Sequence, residues 1–123
     1  MRSFKYTSFS RFTRKENIAN TDLLEIVDML ENEQFDADLG GGVFKQRIAR
    51  EGEGKSGSYR AIIFFKSKLL TFFVQGFAKS DKANISRKEL VRLKKQAKTV
   101  LALTDSQIQM ALDEGLFEEI KER

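Results

Sequence analysis

Two long apolar runs with almost nothing between them limit this fold more than any other feature: Ser58 to Lys66 (SYRAIIFFK) and Leu69 to Phe77 (LLTFFVQGF). Both have strand length and are rich in β-branched and aromatic residues, so they read as a hairpin with a tight turn at Ser67-Lys68. Their apolar pairs, Ile62-Ile63, Phe64-Phe65 and Phe72-Phe73, leave no polar face, which suits a central position in a sheet covered on both sides. A third run, Val43-Phe44-Lys45-Gln46-Arg47-Ile48, precedes them after the glycine triplet Gly40 to Gly42. The triplet reads as a turn that needs positive φ rather than as a ligand loop. Residues 43–49, 58–66 and 69–77 are therefore expected as three neighbouring antiparallel strands.

Helices follow from periodicity and caps. Asn20 or Thr21 is expected to cap a helix with Leu23, Leu24, Ile26, Val27 and Leu30 on one side and Glu25, Asp28 and Glu31 on the other. Ser86 and Glu89 have capping-box spacing and open a helix whose inner face is Leu90, Leu93, Ala97, Val100 and Leu101. Its outer face is cationic: Lys88, Arg92 and Lys95, with Lys94 and Lys98 alongside. Thr104 and Gln107 form a second capping box, with Gly115 placed to end that helix. Phe4 to Tyr6 alternates like a short strand, Ser8 to Phe12 begins a brief helix or a turn, and Leu116 to Ile120 is a strand or a docked tail. The expected fold class is α+β: one domain over residues 1–123, an antiparallel sheet of three central strands plus an N-terminal and possibly a C-terminal strand, packed against helices. At 123 residues such a chain buries roughly two-thirds of its unfolded surface without staples.

Composition removes whole classes of chemistry. With no Cys and no His, Ser-His and Cys-His nucleophilic machinery, ordinary zinc sites and imidazole acid–base pairs are excluded, so any catalysis falls to Lys, Arg, Tyr, Asp or Glu. No run is long and apolar enough for a signal peptide or a membrane span, and the expected location is the cytoplasm.

Charge is sorted along the chain. Residues 40–100 hold 15 Lys and Arg against 4 Asp and Glu, a net +11, whereas residues 1–39 carry −3 and residues 101–123 carry −4. A positive face of this kind attracts a polyanion, and nucleic acid is the first candidate. Lys45, Arg47, Arg50, Lys55, Arg60, Lys79 and Lys82 form the basic set, and Glu51 and Glu53 are the only acids between Gly40 and Ser80, so ion-pair partners are scarce in sequence. Phe77 follows Gly76 at a strand exit two residues before Lys79, placed to stack on a base, whereas the other strand phenylalanines read as core. Ala49 to Ser56 satisfies a loose phosphate-loop pattern, but a strand rather than the required helix follows it. Asp36 and Asp38 are too few donors for calcium or magnesium and read as solvated loop residues.

The stretch DADLGGGVFKQRIAREGEGKSGSYRAIIFF followed by VQGFAKSDKANIS resembles the RelE/HigB-like toxins of bacterial type II toxin–antitoxin modules, in order from about Asp36 to Leu90. The matching elements are Gly-x-x-Lys-x-Arg at Gly42 to Arg47, Gly-Lys-Ser-Gly-x-x-Arg at Gly54 to Arg60, and Gly-Phe-x-Lys at Gly76 to Lys79, with Asn84 and a helix after it. The resemblance implies a RelE-like sheet curved around helices and an endoribonuclease that cleaves messenger RNA, usually on the ribosome, by attack of the 2′-hydroxyl on the adjacent phosphate without a metal or other cofactor. By position, Lys45, Arg47, Lys55, Arg60 and Lys79 match the family's cationic motif positions and Phe77 an aromatic one. Arg60, Lys55 and Lys79 are expected as catalytic residues, and Lys45, Arg47 and Phe77 as RNA-binding residues, joined by Arg50 and Lys82 from the charge pattern. The partners the resemblance implies are messenger RNA, the ribosome and a cognate antitoxin of helix-turn-helix type. Some members place His or a C-terminal Tyr in the catalytic set, whereas the only tyrosines here are Tyr6 and Tyr59, which leaves the general base open. ParE-like members of the same superfamily poison gyrase without nuclease activity, and a non-enzymatic basic nucleic-acid-binding protein is the third reading.

Overall fold

A computed structural model describes residues 1–48, 59–78 and 85–121. In chain order these form β1 (Arg2–Tyr6), α1 (Thr7–Lys15), α2 (Asn20–Glu31), β2 (Ala37–Gly40), β3 (Val43–Ile48), β4 (Tyr59–Lys66), β5 (Leu70–Ala78), α3 (Arg87–Val100), α4 (Asp105–Asp113) and β6 (Phe117–Ile120). The six strands make one sheet in the order β2-β3-β4-β5-β1-β6. The three expected strands are there and pair antiparallel, β3 with β4 and β4 with β5. The sheet as a whole is mixed, because β1 pairs parallel with β5, from Arg2 opposite Leu70 to Lys5 opposite Phe73. The reason is topological: α1 and α2 follow β1, so no tight turn forces it antiparallel to its neighbour. β6 then pairs antiparallel with β1, which makes the C-terminal run a strand.

The sheet is covered on both faces, as its unbroken apolar runs require. On one face Phe44, Ile48, Tyr59, Ala61, Ile63, Phe65 and Phe73 meet Phe9 of α1 and Leu23, Ile26, Val27 and Leu30 of α2. On the other, Phe4, Val43, Ile62, Phe64, Phe72 and Val74 meet Leu93 and Ala97 of α3 and Ile108 and Ala111 of α4. Leu90, Val100 and Leu101 pack at the margin of this second layer, which bears out the inner face expected for α3.

Two local expectations need correction. The cap of α2 is Ala19, not Asn20 or Thr21; its backbone N–H donates to Asp22 Oδ2 at 3.1 Å, so the acid of the first turn closes the helix start in place of a cap side chain. The stretch holding Asp36 and Asp38 is also not a plain loop, since Ala37–Gly40 pairs with β3 as an outer strand. Gly40, Gly41 and Gly42 all have positive φ (87°, 63° and 83°), which fits their role as the turn of this hairpin. α3 closes over them: a Cβ on Gly42 would stand 2.6 Å from Leu101 Cδ1, and one on Gly41 3.3 Å from Lys94 Cγ. The other two helix starts are as expected. Ser86 Oγ accepts from Glu89 N at 3.1 Å, and Thr104 and Gln107 bond reciprocally at 2.9 and 3.2 Å.

Candidate nucleic-acid interface

The registers of three strands bring the separate motifs together. Arg47 lies opposite Arg60, and Arg60 lies opposite Phe77, so one row crosses β3, β4 and β5. Lys45, Ile62 and Gln75 form the next row on that face. Tyr59 and Ala61 point into the α1–α2 layer, so by alternation Arg60 faces the α3 side, in the same direction as Ile62. Lys45, Arg47, Arg60 and Phe77 thus share one face, all half-buried.

A bulge is what puts Phe77 there. Ile62 pairs with Gln75 but Ile63 pairs with Phe73, so β5 carries one extra residue, Val74. A one-residue offset exchanges the faces of everything beyond it. Without it, Phe77 would turn towards α1 and Gly76 towards the basic row. With it, Gly76 lies opposite Ala61 beneath Phe12 of α1, whose ring is so close that a Cβ on Gly76 would stand 2.4 Å from Cδ2. Glycine is therefore required by close packing on the far face, next to a phenylalanine that belongs to the near one.

Directly opposed residues on antiparallel strands have Cβ atoms about 4.5–5.5 Å apart, and two guanidinium side chains at that spacing repel. The expectation that the basic set lacks ion-pair partners is corrected here. Asp36 Oδ2 accepts from the Arg47 backbone N–H at 2.6 Å and lies 3.7 Å from Arg47 Nε. The β2–β3 hairpin makes this contact across eleven positions of sequence, which a window of neighbouring residues does not reveal. Arg60 Nη1 donates to the Tyr59 carbonyl at 3.4 Å. Gln75, on the same face and across Ile62 from Lys45, is a polar group that sequence reading missed, since only the bulge aims it there.

Neither tyrosine joins the row. Tyr59 is 3% exposed on the opposite face, its hydroxyl donating to the Glu16 carboxylate and its ring edge-on to Phe12 at 5.4 Å. Tyr6 packs against Phe64 and Phe117, and burial pushes its phenol up to about 12, away from use as a base near neutrality. Arg50, Lys55, Lys79 and Lys82 lie outside the described residues. The described pairing of β3, β4 and β5 reaches Ile48, Tyr59 and Ala78, one residue beyond the Arg47–Arg60–Phe77 row. A strand, β4, follows the loose phosphate-loop pattern, so the helix that such a loop needs is not there. Among the described residues no group of three or more Asp or Glu is placed to hold a metal ion, and no helix is long and apolar enough to cross a membrane.

The arrangement offers fixed cations for a phosphate beside an aromatic ring for a base. A family model described as RelE toxin of RelE / RelB toxin-antitoxin system matches residues 1–120. Among curated proteins no sequence matches.

Proposed function

The chain belongs to the RelE toxin family, and from that premise we propose that it is a metal-independent endoribonuclease that cleaves messenger RNA, with the ribosome presenting the substrate, and so stops translation. The observation that carries this reading is the row Arg47–Arg60–Phe77, with Lys45 beside it, assembled from three separated motifs. In this chemistry the 2′-hydroxyl attacks the adjacent phosphorus, the hydroxyl proton is taken up, and the 5′ oxygen leaves with a proton. Charge builds on the non-bridging oxygens in between.

Arg60 is assigned to those oxygens. Its guanidinium stays charged throughout and presents two parallel donors, which an ammonium cannot reproduce. Lys55 and Lys79 are assigned the proton transfers, Phe77 stacks on a flanking base, and Lys45, Arg47, Arg50 and Lys82 hold the RNA backbone. The partner is an antitoxin of helix-turn-helix type, which complements the basic row in charge and blocks access to it.

The test is Arg60→Ala, assayed for growth inhibition and for cleavage of message on purified ribosomes. The expected loss in rate is on the order of 10²-fold or more, with folding and antitoxin binding nearly intact and little recovery in Arg60→Lys. An Ala variant that still cuts at the wild-type rate refutes the assignment. A wild-type chain that cuts nothing but blocks gyrase places the protein with the ParE-like members instead.

A further inference from the structure

The cationic face of α3 has no part in the row described above. Arg87, Lys88, Arg92, Lys94, Lys95 and Lys98 are all exposed, and at 100° per residue they share an arc of about 160° opposite the buried Leu93 and Ala97. Along the axis the set spans about 16 Å. The ion pairs found among the described residues engage Arg2, Lys5 and Arg47, and none of the α3 cations. The one acid of the helix, Glu89, lies half-buried outside that arc. With 18 Asp and Glu in the chain, a stripe of six cations with no ion pair among the described residues is a concentrated field.

We propose that the solvent face of α3 is a second polyanion-binding surface, which takes the phosphate backbone of double-helical RNA. Three observations choose this occupant. A protein partner needs apolar or aromatic anchors, and Lys is depleted from such interfaces; here the stripe holds only Val91, 52% exposed, as an apolar residue. A lipid surface takes up a helix through its apolar face, but that of α3 is committed to the sheet through Leu93 and Ala97. Single-stranded RNA is held by stacking on aromatic rings, and α3 has none, which leaves contacts to a regularly spaced backbone. The apolar margin of α3 is in the same layer as Phe77, so a duplex on the helix and a single strand on the row would be bound by one body.

The experiment measures binding of a blunt RNA duplex of about 16 base pairs over a range of salt concentrations. It compares wild type, Arg60→Ala and the triple variant Lys88→Gln, Arg92→Gln, Lys95→Gln, with thermal melting as the check on folding. The proposal expects Arg60→Ala to bind the duplex within about twofold of wild type. It expects the triple variant to bind about tenfold or more weaker, with a log–log salt slope shallower by about 2 to 3. If the triple variant does not fold, Lys88→Gln with Lys95→Gln is read the same way, for a slope change of about 2. Wild-type duplex affinity in the α3 variants overturns the proposal, as does a loss confined to Arg60→Ala. A third contrary result is unchanged duplex binding with lost adhesion to phosphatidylserine vesicles, which would make the face a membrane contact. Because the readout is binding of a duplex, failure here leaves the cleavage reading standing, and the reverse also holds.

Discussion

Two rows on the same sheet face, four residues apart along β4, have opposite surfaces. Val43, Phe64 and Phe72 lie opposite one another across β3, β4 and β5, extend to Phe4 on β1, and are all 0% exposed. Arg47, Arg60 and Phe77 cross the same three strands about 13 Å away and are half-buried. The backbone is alike in both rows. What differs is the cover: α3 and α4 bring Leu93, Ala97, Ile108 and Ala111 down on the apolar layer. A strand continuous from core to surface then gives the basic row a rigid base. This suits a site that must hold guanidinium groups in place before charge develops.

On this contrast, damage at the apolar row unfolds the protein and damage at the basic row silences it. The largest effect is expected for Leu93→Ala, which removes a side chain 5% exposed from the covered layer and should cost about 2–5 kcal/mol in denaturant unfolding. A change near zero would show that α3 does not seal that end. Arg60→Ala comes next: its loss of 10²-fold corresponds to about 2.7 kcal/mol of transition-state stabilisation, with unfolding stability nearly unchanged. A variant that lost both in equal measure would erase the distinction between the two rows.

Gly76→Ala sharpens the comparison, since it touches the basic row from the opposite face of the sheet. The added methyl meets the Phe12 ring, and overpacking of this kind costs about 1–3 kcal/mol. Combined with Phe12→Ala, the penalty should largely disappear in a double-mutant cycle. Additive costs would mean that the ring moves aside freely. The smallest effect belongs to the opposite edge of the sheet, on β1 and β6, where the Arg2 fork meets Glu119 at 3.0 and 3.1 Å. Arg2→Gln should cost about 0.2–1 kcal/mol at neutral pH. The guanidinium holds the Glu119 carboxyl below its ordinary value, so this contribution is complete above the normal carboxylate range and is lost as pH falls below about 4. Stability profiles of wild type and variant should converge in acid, and a constant gap down to low pH would exclude this pair as its source.

Much of the architecture was legible locally. The apolar pairs of β4 and β5, the capping residues Ser86 and Thr104, and the spacing of Leu93 and Ala97 depend on neighbours a few positions apart, and each element formed where those neighbours indicated. The candidate residues were legible as types too, because Lys and Arg with few acids near them in sequence stand out in a chain without His or Cys.

Tertiary structure decided which of them meet. Parallel pairing of β1 with β5 depends on where two helices return the chain, a contact of some seventy residues in sequence. The hold of Asp36 on Arg47 depends on the β2–β3 hairpin. The facing of Phe77 depends on one extra residue at Val74, which alternation read along the strand cannot detect because both faces of β5 are apolar there. By itself the sequence determined the kinds of element and their chemical content, since propensity, capping and charge act over a turn or a strand. The assembled site was decided by register and coverage, which exist only once distant segments have packed.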